Sequence, residues 1–221
     1  MNWGALLDEI RTVDIDDAGE TPKFSNKALY AYLREAVGDY SQFLPLHKVN
    51  VVLVQDADNP QKFALPADFL AEVSVACPAD RLLEPKRGRL GTNAQPGSRP
   101  FFYVVENKST LYLDADPGQN EVSLSYDAYH PIPASADDTA FEFSTLPLAD
   151  VDLVKLYIEG KVNAKIRNAQ ARLDRFKLGN SARTDNPMSN EVEDFFAAYK
   201  EKLAERIPSK SLTLYRLRRY R

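Results

Sequence analysis

The chain has 221 residues, of which 44% are apolar and 27% charged, with a formal charge of −4. This is ordinary globular composition, enough for one large domain or two small ones, and it excludes disorder as the default for the body. One cysteine and two histidines exclude an intrachain disulfide and leave too few ligands for a Cys/His zinc site.

The N-terminus, MNWGALLDEIRTVD, carries acids by residue 8 and has no long apolar run, so a signal peptide is not expected. No stretch approaches the roughly 20 apolar residues of a membrane span, and the expectation is a soluble protein, intracellular when made. Trp3, Leu6, Leu7 and Ile10 fall at helical spacing and predict a short amphipathic helix over 3–11. DIDDAGETPK follows as a polar loop. Asp14, Asp16 and Gly19 imitate the start of a calcium loop, but Ala18 and Ser25 fail at the fifth and twelfth positions, so a solvated turn is expected. The second helix is well marked. Ser25 is a good N-cap, Phe24 and Leu29 stand at staple positions, and Leu29, Leu33, Ala36, Val37, Tyr40 and Leu44 line one face up to Pro45.

From residue 46 to about 145 the period changes to that of strands. VNVVLV, KFALPADFL, AEVSVAC, PFFYVVE, STLYLDAD and NEVSLSYDAYHPI predict five or six of them, with DPGQN as a turn. Inside this region EPKRGRLGTNAQPGSRP reads as a long exposed loop, with three Gly, three Pro and four Arg/Lys against one acid. Helix returns near Leu148, with Val151, Val154, Ile158, Val162, Ile166 and Leu173 as its stripe, and ends near Gly179. After the linker NSARTDNP, Asn190 and Glu193 predict a capping box. Val192, Phe195, Phe196, Tyr199 and Leu203 form the buried face of the last helix, which Pro208 ends.

The expected fold is therefore α+β. A helical bundle is built from segments 1–45 and 146–207, a β-rich subdomain spans 46–145, and an extended basic tail covers 208–221. The last sixteen residues, RIPSKSLTLYRLRRYR, hold six Lys/Arg and no acid, leaving 22 bases against 32 acids, or −10, in the rest. A purely solvated tail would not need Leu212, Leu214, Tyr215, Leu217 and Tyr220. The strip fits a segment that docks on another chain or a phosphate backbone. SLTLY has strand character and could add to a neighbour's sheet edge. Arg218, Arg219 and Arg221 with Tyr215 and Tyr220 could instead pair with phosphates and stack on bases. Lys86, Arg87, Arg89 and Arg99 form a second positive stretch. The acidic body opposes general DNA affinity, so docking on protein is the preferred reading.

Catalytic motifs are missing. There is no GxGxxG, P-loop, GxSxG, HExxH or CxxC. Cys77 reads as a small buried hydrophobe, with His47 and His130 in no recognisable motif beside it. The pairs Asp137/Asp138 and Asp150/Asp152 read as solvated carboxylates, those near Leu148 suiting a helix N-terminus. An enzyme is not expected, and neither a cofactor nor a metal.

The order of elements resembles bacteriophage head-to-tail connector proteins, the adaptor or head completion family. The resemblance rests on WGALLDEIRTVDIDD, on the capped helix in FSNKALYAYLREAVGDYSQFLP, and on LPADFLAEVSV at 65–75, similar to the LP-x-DF stretch of that family. The later helical pair and the extended tail also agree. The match is best over the first 75 residues and in the β-rich middle is one of character only.

The resemblance implies a non-catalytic virion protein in the neck between head and tail, made in the host cytoplasm. Copies would form a ring, usually a dodecamer, beneath the portal. The ring would extend the DNA channel and present a platform for tail or nozzle proteins. By the same analogy Leu212, Leu214, Tyr215, Leu217 and Tyr220 would anchor the tail on the portal, with Arg216, Arg218, Arg219 and Arg221 pairing with acidic groups. Genomic DNA would pass the acidic body without sequence-specific contact. Tyr30 and Tyr32, off the main stripe of the second helix, are candidate ring contacts.

Overall fold

The computed structural model describes residues 2–15, 17, 19, 22–78, 81–86, 99–133, 145–178 and 188–207, as backbone only over 170–178 and 188–192. The fold is mixed helix and strand. Among the described residues there are four α-helices, α1 (Trp3–Glu9), α2 (Asn26–Phe43), α3 (Val151–Leu178) and α4 (Met188–Arg206). Seven strands complete it: β1 (Leu46–Val52), β2 (Lys62–Ala64), β3 (Phe69–Ala76), β4 (Glu84–Pro85), β5 (Phe102–Glu106), β6 (Thr110–Leu113) and β7 (Ser123–Ala128). They form two compact units, one of residues 1–44 with 131–221, the other of 45–130.

The return to the helical unit thus comes at Pro131, earlier than the expected border at 145. The reason is packing. Ile132 and Leu146 lie against the helical core, and the Tyr30 hydroxyl donates to the Pro133 carbonyl.

In the helical unit, Asn2 caps α1 by accepting from Ala5 N at 2.7 Å. The helix then loosens into a π-helical turn over Ile10–Asp14. Ser25 caps α2, accepting from Ala28 N, and Phe24 and Leu29 are both buried as the staple requires. Trp3, Leu6 and Ile10 share one core with Leu29, Leu33, Ala36, Val37 and Tyr40 of α2, Val151, Val154, Ile158 and Val162 of α3, and Tyr199 and Leu203 of α4. These are the predicted stripes, which bury because each is apolar at 3.6-residue spacing. The last helix starts at Met188, so Asn190 lies within it and not ahead of it. Gly160 lets α3 and α4 approach: a Cβ there would meet the Phe196 ring at 3.1 Å. Phe196 and Tyr199 both set their rings edge-on to Tyr157, at 5.7 and 5.3 Å between centroids.

The loop before α2 is organised by a carboxylate, not solvated. Asp17 is buried and accepts from Lys23 N at 2.7 Å and Phe24 N at 2.9 Å, with Arg11 Nη1 at 3.4 Å. Burial works to raise its pKa, but the two N–H donors and Arg11 outweigh it and hold the carboxyl below its ordinary value.

The β unit contains two sheets, ordered β1-β7-β3 and β2-β6-β5-β4. Hydrogen bonds join them at both seams. At one, Gln55 bridges to Phe63 of β2, and Asp56 N donates to Lys62 O. At the other, residues 81–86 run between the sheets. Leu83 N donates to Val75 O and Cys77 N to Arg81 O on the β3 side, while Glu84 N donates to Phe101 O and Lys86 N to Tyr103 O on the β5 side. The strands therefore close into a circuit, which covers edges that would otherwise template aggregation. Phe63, Phe69, Val75, Cys77, Tyr103, Leu111, Leu113, Leu124 and Tyr126 fill its interior. Part of the stretch expected to be loop is thus structural: β4 pairs in parallel with β5. The LPADF segment has a local task. The Asp68 carboxylate accepts from Lys48 Nζ at 2.6 Å and the Tyr126 hydroxyl at 3.0 Å, and its carbonyl accepts from Tyr129 N.

Candidate functional site

The strip expected to dock begins where α4 ends, and that point is pinned. Asp150, in a 3₁₀ turn (Leu148–Asp150) leading into α3, is only 7% exposed. Its carboxylate accepts from the Tyr40 hydroxyl of α2 at 2.7 Å and from Arg206 Nε of α4 at 3.2 Å. Arg206 Nη2 also donates to the Ala149 carbonyl at 3.4 Å. Ile207 is buried beyond it, its N–H donating to Leu203 O. One carboxylate thus ties three helices together at the root of the strip. The position favours an anion, because the N-terminus of α3 is the positive end of its dipole.

The pattern repeats higher on α4, where the Tyr199 hydroxyl donates to Asp39 Oδ2 at 2.8 Å. Burial and then the carboxylate acceptor push both the Tyr40 and Tyr199 phenols well above their ordinary pKa. Tyr103 in the β unit is pushed up to about 12, by burial first and then by Glu72.

The predicted tail residues Leu212, Leu214, Tyr215, Arg216, Leu217, Arg218, Arg219, Tyr220 and Arg221 lie outside the described residues, as do Arg87, Arg89, Asp137 and Asp138. Lys86 and Arg99 are exposed. Tyr30 is not an exposed contact: it is 9% exposed, part of the helical core, with its hydroxyl on Pro133. Tyr32 is half-buried against the same core. Of the acid pair near Leu148, Asp152 is exposed, but Asp150 is buried and bonded. Cys77 is buried, and burial raises its thiol pKa, so it does not present a thiolate. Among the described residues no group of three His, Cys, Asp or Glu side chains is placed to share a metal ion, and no helix is long and apolar enough to cross a membrane.

Sequence reasoning missed Asp150, Asp39 and Asp17 as structural carboxylates. It also missed Arg81 and Phe101, which flank the basic stretch. The Arg81 guanidinium lies 4.2 Å over the ring of Phe101, which is itself 55% exposed, and Lys86 Nζ lies 5.3 Å over Phe102. No protein-family model matches the chain, and no curated protein matches it.

Proposed function

We propose that this chain is a virion structural protein without catalytic activity, a head-to-tail adaptor of the bacteriophage connector type. In this reading its helices form a bundle interrupted by the β unit. Copies close into a ring, a dodecamer in the virion neck, which docks on the portal, extends the DNA channel and receives the tail or nozzle proteins. Residues 208–221 extend from the bundle onto the portal. The observation that carries the reading is the basic, Leu/Tyr-studded strip on an otherwise acidic chain, starting at an anchored helix end. A segment that must reach a partner gains from a rigid point of departure, because less entropy is lost on docking. The acidic remainder suits a channel wall past which DNA slides without sticking.

The test is deletion of residues 208–221. The truncated protein is expected to fold and to be unable to join portal-containing heads, since Ile207 and the Arg206 contacts are kept. If it still assembles on such heads, the docking role of the strip is lost. A second reading, a nucleic-acid-binding accessory protein, draws on the same strip and the 84–100 stretch. It requires steeply salt-dependent DNA binding, and a flat gel-shift titration at low salt removes it.

A further inference from the structure

The β unit segregates its charge. Residues 81–99 hold five Arg/Lys against one acid, whereas the rest of 45–130 holds three bases against ten acids. Two of those three bases are already paired, Lys48 with Asp68 and Lys62 with Asp56. Around the seam formed by 81–86, Arg81, Lys86 and Arg99 have no ion pair among the described residues. Leu82 beside them is 71% exposed and Phe101 55%. Exposed apolar side chains rimmed by cations mark a surface that takes an anionic, partly apolar partner.

The helical unit carries a matching surface. Asp152 and Glu159 stand seven residues apart on α3, two turns along one face. Between them Lys155 reaches Glu9 at 2.5 Å, and Asp14 closes the π-helical turn beside this group. The four acids of the cluster, Glu9, Asp14, Asp152 and Glu159, outnumber the two lysines that act on it, Lys155 and Lys202. Burial is the first cause that raises the Asp14 and Glu159 carboxyls above their ordinary values; Glu9 and Asp152 add to it at Asp14 against Lys155, and Asp14 and Asp152 add to it at Glu159 against Lys155 and Lys202. Val13 and Leu148, neighbours of this group in sequence, are 72% and 76% exposed. A cation-and-apolar face on one unit and an acid-and-apolar face on the other are complementary.

We propose that the Arg81–Lys86–Arg99 face, with Leu82 and Phe101, docks on the Asp14–Asp152–Glu159 face of a second copy of this chain. This joins two different faces and so is a heterologous contact, which repeats into a ring or a filament. It deepens the adaptor reading and rests on it only in needing copies that assemble.

The test uses the full chain and two exposed-charge reversals, Lys86→Glu with Arg99→Glu, and Asp14→Lys with Asp152→Lys. Sedimentation velocity at low salt is expected to show concentration-dependent association of the parent protein. Each double reversal weakens it at least ~10-fold, and an equal mixture of the two variants restores it. Raising salt to ~1 M, where the screening length falls to about 3 Å, weakens the parent association as well. Circular dichroism melting shows each variant folded. Association that survives both reversals overturns this pairing of faces and leaves the ring reading standing. A parent protein that stays monomeric at every concentration, alone and on portal-containing heads, overturns both. Duplex DNA binding that is abolished by the Lys86/Arg99 reversal, with self-association unchanged, also overturns the pairing and makes the face a polyanion site.

Discussion

Replacing Asp150 with alanine removes the acceptor on which Tyr40 and Arg206 converge. The Tyr40 hydroxyl then loses its carboxylate acceptor in the helical core, and loss of a buried hydrogen bond costs about 1–3 kcal/mol. Arg206 is half exposed, with 51% of its side chain open, so its loss is at the surface level, about 0.2–1 kcal/mol. Loss of a negative charge ahead of α3 adds about 0.3–1 kcal/mol. The sum is roughly 1.5–5 kcal/mol, a fall in melting temperature of about 3–20 °C for a chain of this size. Thermal unfolding followed by helical circular dichroism measures it. A double-mutant cycle with Tyr40→Phe isolates the hydroxyl–carboxylate contact, and the two changes together should cost about 0.5–3 kcal/mol less than their sum. A cost below about 0.5 kcal/mol for Asp150→Ala, the level of an ordinary surface substitution, would refute the argument that this carboxylate holds the helix ends.

Tyr40 and Tyr199 have folded pKa values above the unfolded value of about 10, so the stability they contribute is complete below that pH and lost as pH rises toward the folded values. Tyrosinate absorbance should therefore show a subset of the 11 tyrosines silent until the alkaline unfolding transition; full titration near pH ~10 of a protein with native circular dichroism would contradict the buried pairs. Asp17→Ala leaves the Lys23 and Phe24 N–H groups unpaired and should cost roughly 2–3 kcal/mol by urea unfolding at neutral pH. Because Asp17 is held below its ordinary pKa, its contribution is present above about pH 4 and lost as pH falls, so the gap between parent and variant should narrow in acid. Serine at Leu212, Leu214 and Leu217 keeps all six positive charges of the strip; it should abolish joining to portal-containing heads, and unchanged joining would show that charge alone suffices.

The parts legible in the sequence are those whose cause is local. Ser25, the Phe24–Leu29 pair, the stripe through Tyr40 and the stop at Pro45 define α2 with no information from elsewhere, and the structure follows them. The alternation of β3 and β7 and the stripe of α3 are readable for the same reason. Burial of Tyr30 has no local sign, because the segment that takes its hydroxyl, residues 131–133, returns from about 100 residues away. The two-residue strand β4 has no period to detect, and its proline hides it further. Asp150 looks like any acid at a helix start until the end of α4 arrives beside it.

Periodicity, capping residues and charge segregation act within a few residues of themselves. They settle the helices and the longer strands, that the chain alternates from helix to strand and back, and that its last sixteen residues are basic. Closure of the strands into a circuit depends on Gln55 meeting Phe63 and on residues 81–86 meeting both β3 and β5. Burial of Tyr30 and Asp150 depends likewise on neighbours that chain proximity alone does not supply. A carboxylate or a phenol has the same side chain in either setting. Whether it is solvated or bonded inside a core is a property of the packing around it, and that packing exists only once the chain has folded.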